Sequence, residues 1–182
     1  MKITMIGTFN GYLKKNNKGI SLVEIIVVVA ILSVLIGVTS LGFGMVSTRS
    51  ATQAAKNTQI SIERCRINSM GKISGCIAFF QTADGIFAVE DFDYSGSMTI
   101  DDIDKTKAKR IGKSDVDVKY GYGDTADTPL GDGIVIEFNR SDGSVKSIPS
   151  TITTLTITFK KGSKTQNVKV DRLTGRVTLT NG

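Results

Sequence analysis

Residues 14–46 read KKNNKGISLVEIIVVVAILSVLIGVTSLGFGMV and organise the rest of the chain. Basic residues and a glycine come first, and an apolar run from Ile20 to Val46 follows, in which Glu24 is the only charged residue. The run has 27 residues, and about 20 apolar residues allow a helix to cross a bilayer. A cleaved secretory signal has an apolar region of only about 7–15 residues. Residues 20–46 therefore predict a transmembrane helix.

The basic residues before this helix predict its orientation. Lys14, Lys15 and Lys18 lie next to its start, and lysines beside an apolar segment favour the cytoplasmic side of the membrane. We therefore expect a single-pass protein of the cell membrane, with the residues after Val46 outside.

Glu24 is unusual because an ionised group within hydrocarbon is costly, at about 2.5–3.5 kcal/mol on insertion scales. In one interpretation the carboxylate reaches the headgroup region or interacts with the dipole at the helix N-terminus. In the other it has a partner or a function.

The heptapeptide KGISLVE, residues 18–24, resembles the class III signal of type IV prepilins and pseudopilins. The resemblance implies a leader of residues 1–19, cleavage after Gly19 by the prepilin peptidase, and methylation of the new N-terminus at Ile20. Most pilins have Phe where this chain has Ile20. In that family the glutamate at the position of Glu24 pairs with the N-terminal amine of a neighbouring subunit. The implied partners are other pilin or pseudopilin subunits, the peptidase, the membrane and an assembly platform, and the implied destination is an extracellular or periplasmic filament.

Charged residues are distributed unevenly along the chain. The formal net charge is +6, but four of the 23 basic residues precede Gly19, so the remaining 19 nearly balance the 17 acidic residues. Residues 84–127 are mainly acidic and residues 137–182 mainly basic. This asymmetry favours docking between subunits over general binding to polyanions. The length of 182 residues favours one globular domain.

Cys65 and Cys76 are the two cysteines of the chain. In an outward-facing domain they can form one disulfide, which stabilises by about 3 kcal/mol through loop closure. Two buried thiols are the alternative.

The helix is predicted to continue beyond the membrane through an amphipathic half, residues 47–71, that ends at Gly71. The residues at helical spacing are Ala51, Ala54, Thr58, Ile62 and Cys65.

After the helix, residues 72–182 predict a β-rich head, because short alternating segments are separated by Gly, Asn, Asp or Ser. Thr82-Ala83-Asp84-Gly85 predicts a hairpin. The fold class is therefore α+β, a long N-terminal helix packed on an antiparallel head. The predicted strands are Cys76–Gln81, Ile86–Glu90, Val116–Tyr120, Ile134–Asn139, Thr153–Lys160, Gln166–Asp171 and Arg176–Thr180.

Together with this strand order, the segments GIVIEFNRSDG (133–143) and KVDRLTGRVTL (169–179) look like the GspH/FimT-type minor pseudopilins. Some members bind DNA through a glycine-arginine pair followed two places later by a second arginine. Here Gly175-Arg176 is followed by Val177-Thr178, so the second arginine is missing. Arg176 is otherwise an exposed strand residue. The candidate DNA contacts are Lys160, Lys161, Lys164, Arg172 and Arg176.

The segment from Asp91 to Asp102 matches the calcium-binding loop of EF-hands in part. Oxygen-bearing side chains fall at loop positions 1, 3, 5, 9 and 12, and glycine falls at position 6. An acidic, solvated turn is the alternative. The candidate calcium ligands are Asp91, Asp93, Ser95, Thr99 and Asp102.

Enzymatic activity is not expected. The chain contains no histidine, which removes the Ser-His-Asp arrangement, and it has no P-loop or dinucleotide fingerprint. No cofactor is required, with calcium as the one candidate. The sequence predicts a structural subunit, a minor pilin or pseudopilin of a type IV pilus-like or type II secretion filament. The alternatives are a DNA-binding tip pilin and a membrane-tethered β domain that is never processed.

Overall fold

The computed structural model describes residues 21–71, 75–92 and 99–182, and within the helix it leaves out the side chains of residues 38–48. The described chain is α+β with antiparallel sheets, as predicted. Its α-helix and strands are α1 (Leu22–Gly71), β1 (Gly75–Thr82), β2 (Gly85–Asp91), β3 (Lys109–Gly112), β4 (Asp117–Tyr122), β5 (Thr128–Pro129), β6 (Ile134–Phe138), β7 (Thr154–Lys161), β8 (Lys164–Asp171) and β9 (Val177–Asn181). Two 3₁₀ helices, Ile100–Asp102 and Lys105–Lys107, precede β3.

The chain divides into two compact units, Met1–Leu41 and Gly42–Gly182. The first contains the beginning of α1. The second, called the head unit below, contains the rest of α1 and both sheets.

Within the head unit, α1 contributes one face to the core. The residues predicted from their helical spacing are buried there, with Ala51, Ala54, Ile62 and Cys65 at 0% exposure and Thr58 at 1%. The Thr58 hydroxyl donates to the Ala54 carbonyl at 2.9 Å, so its burial leaves no unpaired polar group. The small residues at positions 51, 54 and 55 give the helix a narrow face on which the sheets can pack closely.

The strands form two antiparallel sheets. Sheet A has the order β3-β2-β1-β6, and sheet B has the order β5-β4-β7-β8-β9. The predicted hairpin is present between β1 and β2, where Thr82 pairs with Gly85. The seven predicted strands coincide with β1, β2, β4, β6, β7, β8 and β9, and their ends differ by two residues at most.

The main core combines residues of α1 with the inner faces of both sheets, including Phe79, Phe138 and Phe159. A second apolar cluster lies on the other face of sheet A, where Phe80 and Val89 pack with Ile103 of the following loop. Because successive residues of a strand point to opposite faces, β1 contributes to both clusters. This explains why β1 is almost continuously apolar.

Candidate processing and assembly site

The candidate site begins in the first turn of α1. The carbonyl of Ser21 accepts hydrogen bonds from the backbone N–H groups of Glu24 at 3.0 Å and Ile25 at 3.2 Å, which starts the helix. The Glu24 side chain is exposed, and no basic residue in the described part of the chain forms a salt bridge with it. A carboxylate in a first helical turn interacts favourably with the helix dipole. Glu24 is therefore compatible with the helix and accessible to a partner from outside the chain.

The helix around Glu24 presents apolar side chains in every direction. From Leu22 to Ile36 the large apolar residues are exposed, from 49% for Val28 to 76% for Leu22. The Ser33 hydroxyl donates to the Val29 carbonyl at 2.7 Å, so it is satisfied within the helix. A helix that is apolar all round is normally covered by other helices or by lipid. This part of α1 therefore requires apolar surroundings that its own compact unit does not supply.

Among the residues that the structure describes, no helix is long and apolar enough to cross a membrane. The predicted span, residues 20–46, includes Ile20 and the side chains of residues 38–46, which lie outside the described set. The processing residues Gly19 and Ile20 and the leader, residues 1–19, also lie outside it.

The predicted calcium loop is described only at its two ends. Asp93 and Ser95 lie outside the described residues, whereas Asp91, Thr99 and Asp102 lie within them. Oδ2 of Asp102 accepts hydrogen bonds from the backbone N–H of Thr99 at 2.9 Å and from its hydroxyl at 2.7 Å. These bonds lower the pKa of the Asp102 carboxyl. Among the described residues, no three acidic, cysteine or histidine side chains are grouped to hold a metal ion. Calcium binding stays a prediction.

The two cysteines are buried thiols in this structure, which is the alternative to a disulfide. Cys65 belongs to the main core and Cys76 to the second cluster. The orientation of Gly75, the residue before Cys76, explains why the two cysteines lie in different clusters. A Cβ on Gly75 would lie 1.9 Å from the Ser69 hydroxyl oxygen of α1, so Gly75 faces the helix and Cys76 faces away from it.

The predicted DNA contacts do not form one surface. Lys160, Lys161 and Lys164 lie at the turn between β7 and β8, whereas Arg172 and Arg176 lie at the turn between β8 and β9. These turns are at opposite ends of β8, whose eight residues span about 23 Å. Lys161 also pairs with Asp115, with Nζ 3.0 Å from Oδ2, and Arg172 Nε donates to the Ile152 carbonyl at 2.9 Å. The set therefore lacks the convergence that phosphate binding requires.

Gly175, the glycine of the glycine-arginine pair, has a structural role. Its φ is +62°, and a Cβ there would lie 2.0 Å from the Gly143 carbonyl oxygen. Arg66 of α1 also contacts this region, because its Nε donates to the Gly143 carbonyl at 3.3 Å. In the same turn, Asp171 Oδ1 accepts from the backbone N–H and the hydroxyl of Thr174, both at 2.8 Å. These bonds lower the pKa of Asp171.

A second basic segment, residues 105–113, reads KTKAKRIGK and is not among the predicted sites. It contains five cations within nine residues, but it was hidden inside a region whose total charge is acidic. Its density of lysine and arginine is the signal by which it could have been found.

Comparison with known proteins assigns the N-terminal segment. Residues 14–40 match the prokaryotic N-terminal methylation motif, the type IV prepilin-like signal. The match contains Gly19, Ile20 and Glu24 and most of the apolar helix. It supports a type IV pilin-like subunit that is processed by the prepilin peptidase. A motif of this type generally implies assembly with other pilin subunits. Type IV pilin-like structural proteins are generally not enzymes.

No curated protein and no solved structure matches the chain.

Proposed function

We propose that this chain is a minor pilin or pseudopilin, which is stored in the cell membrane and then assembled into a type IV pilus-like or type II secretion filament. The observation that carries the proposal is the beginning of α1, which is apolar on every side and has one carboxylate, Glu24, in its first turn. The methylation motif covers this same segment. The head would face outward, because the basic residues before the helix favour the cytoplasm.

In the proposed mechanism the prepilin peptidase cuts after Gly19 and releases an amine at Ile20. Within an apolar filament interior, a carboxylate without a counter-charge is strongly unfavourable, whereas its attraction to a cation is stronger than in water. Glu24 would thus favour the one axial position at which it meets the N-terminal amine of a neighbouring subunit. The apolar side chains supply the area buried between helices, and Glu24 selects their register.

Two features of the head support a GspH/FimT-type subunit. The head unit is built from antiparallel sheets packed on the second part of α1. The segments that carry the resemblance form β6 and the turn between β8 and β9. Of the two alternatives, the DNA-binding tip pilin receives no support from Lys160, Lys161, Lys164, Arg172 and Arg176, which the fold divides. The other alternative, a membrane-tethered β domain that is never processed, would keep its original N-terminus at Met1, whereas a processed pilin begins at Ile20.

The Glu24→Gln variant tests the assembly role, since it keeps the size and hydrogen-bonding capacity of the side chain but removes the charge. Ser33→Ala is the matched control on the same exposed helix, because the Ser33 hydroxyl bonds only within the helix. Each variant is expressed with the other subunits of its filament system, and sheared filaments are probed for this chain. We expect Glu24→Gln to be processed but strongly depleted from filaments, and Ser33→Ala to be incorporated normally. Normal incorporation of Glu24→Gln would contradict the mechanism.

A further inference from the structure

A depression of about 520 Å³ lies in the head unit, where the segment after β6 meets the turn between β8 and β9. Residues 144–150 form most of its lining, and Arg172 and Leu173 complete it together with Asn139 and Asp142. The volume lies within the range of small-ligand sites, about 300–1,000 Å³. We call this depression the β6–β8 pocket.

Hydrogen bonds to both sheets hold the lining of the pocket. The backbone N–H of Val145 donates to the carbonyl of Arg172, the residue after β8, at 2.8 Å. The N–H of Lys146 donates to the Glu137 carbonyl of β6 at 2.8 Å, and the Glu137 N–H donates to the hydroxyl oxygen of Ser147 at 3.2 Å. The lining is therefore in position before a ligand binds, which reduces the ordering that binding requires.

The guanidinium of Arg172 is fixed by only one of its N–H groups. Its Nε donates to the Ile152 carbonyl at 2.9 Å, and its terminal N–H groups form no hydrogen bond with another described residue. Asp171 attracts Arg172 from beyond salt-bridge distance. A guanidinium held in this way is prepared to bind a carboxylate through two parallel N–H···O bonds.

The pocket also contains a second cation and unused backbone donors. Lys146 is exposed and forms no salt bridge with any residue that the structure describes. The backbone N–H groups of Ser147 and Ile148 form no hydrogen bond within the described part of the chain. Ile148 is only 3% exposed, and the backbone donors of buried residues normally have a partner. Two cations beside two unused N–H groups favour an anionic ligand.

The rest of the lining restricts the kind of anion. Leu173 is 60% exposed, and Pro149 is exposed as well, so the pocket offers apolar surface to a ligand. Asp142 also belongs to the lining, where its Oδ1 accepts a hydrogen bond from the Ser144 N–H at 2.9 Å. The Asp142 carboxylate disfavours a ligand with several negative charges. The lining therefore matches a ligand with one carboxylate attached to an apolar group.

We propose that the β6–β8 pocket binds the C-terminal carboxylate of an extended peptide whose last residue is apolar. The carboxylate pairs with Arg172 and Lys146 and accepts hydrogen bonds from the N–H groups of Ser147 and Ile148. The last side chain of the peptide contacts Leu173. Cations and unused backbone N–H groups are a recurring means of binding the carboxylate at the end of a peptide.

Ordinary solvation is the competing explanation, because most lysine and arginine side chains lie at the protein surface. It accounts for the exposed Lys146. It does not account for the backbone donor of the buried Ile148, or for the bond that fixes Arg172 in the lining. A fatty acid has the same carboxylate and apolar group, but it lacks the amide groups that the serine hydroxyls of the lining can bind. The pocket does not involve Glu24, so the proposal extends beyond the proposed function and is independent of it.

The test measures binding of the full chain, purified in a non-ionic detergent, to the tetrapeptide Gly-Gly-Ala-Leu by fluorescence anisotropy. The peptide carries fluorescein at its N-terminus and a free carboxylate at its C-terminus, and we expect a Kd of about 10⁻⁵–10⁻⁴ M. Amidation of the C-terminus should weaken binding by about tenfold or more. Lys146→Gln should weaken it by about threefold to fivefold. Arg172→Lys keeps the charge but loses the two parallel bonds, so it should weaken binding by about tenfold.

The matched control is Lys160→Gln, which removes the same charge from an exposed lysine of β7 and should leave binding unchanged. Because Lys146 is also exposed, its replacement leaves the core intact and separates loss of binding from loss of folding. The proposal is overturned if the peptide does not bind, if the amidated peptide binds as tightly, if Lys146→Gln binds normally, or if the control loses as much affinity. It is also overturned if octanoate or inorganic phosphate displaces the labelled peptide better than the unlabelled peptide does.

Discussion

The burial of α1 in the core can be tested with two isoleucines that lie two positions apart on the helix. Ile62 has 0% exposure and belongs to the main core, whereas Ile60 is 60% exposed. Replacing a fully buried isoleucine by alanine removes apolar contacts and leaves a cavity, at about 2–5 kcal/mol. The same replacement on an exposed helix face changes stability by about 0.5 kcal/mol or less. Because both variants place alanine in the same helix, their helix propensities change equally.

The assay is urea unfolding of a fragment that begins at Gly42, since residues 42–182 form one compact unit. With a typical slope of about 2 kcal/mol per molar urea, Ile62→Ala should lower the midpoint by about 1–2.5 M. Ile60→Ala should stay within about 0.3 M of the unchanged fragment. Equal shifts for the two variants would refute the assignment of the core-facing side of α1.

Three further predictions concern the turns and the thiols. Gly175→Ala should lower the free energy of unfolding by about 2–4 kcal/mol, because the new Cβ meets a backbone carbonyl. Gly162 has a similar φ of +59°, but a Cβ there has no atom within 4 Å, so Gly162→Ala should lower the free energy of unfolding by only about 1 kcal/mol. The folded-state pKa of Asp171 lies below its ordinary 3.8, so its stabilising contribution is present above that value and is lost as the pH falls through the folded pKa. In denaturant unfolding, Asp171→Asn should therefore be less stable than the unchanged protein at about pH 6 and equally stable at about pH 2. A difference in the free energy of unfolding that stays constant with pH would contradict this. Burial raises the pKa of Cys65 and of Cys76 to about 12. Iodoacetamide at neutral pH should therefore label neither thiol until the protein is unfolded. Rapid labelling of either thiol in the folded protein would count against the structure.

The strands that sequence predicts and those that it misses differ in how many apolar side chains they contribute. The seven predicted strands carry several core residues each, and their alternation marks the buried face. In contrast, β3 has one apolar residue, Ile111, among basic neighbours, and β5 is the dipeptide Thr128–Pro129 within a polar loop. Both strands form because a neighbouring strand offers an open edge, and such tertiary information is absent from a local pattern.

The candidate sites show the same limit, since a local sequence pattern does not tell which distant residues the fold brings together. Glu24 could be found from its spacing to Gly19, because a helix and a linear signal are both local. The DNA contacts could not be judged in this way, since Lys160 and Arg176 are close in sequence but at opposite ends of β8. Asn57 of α1 and Ile111 of β3 are 54 positions apart in the sequence, and only the fold brings them into contact.

The most direct test of the account is the mass of the native N-terminus. The chain is isolated from cells that contain a prepilin peptidase, and its N-terminal peptide is sequenced by mass spectrometry. For a processed prepilin we expect a mature chain that begins at Ile20 and carries a methyl group on its amine. A chain that still begins at Met1 would contradict it and would leave the unprocessed, membrane-tethered β domain as the better interpretation.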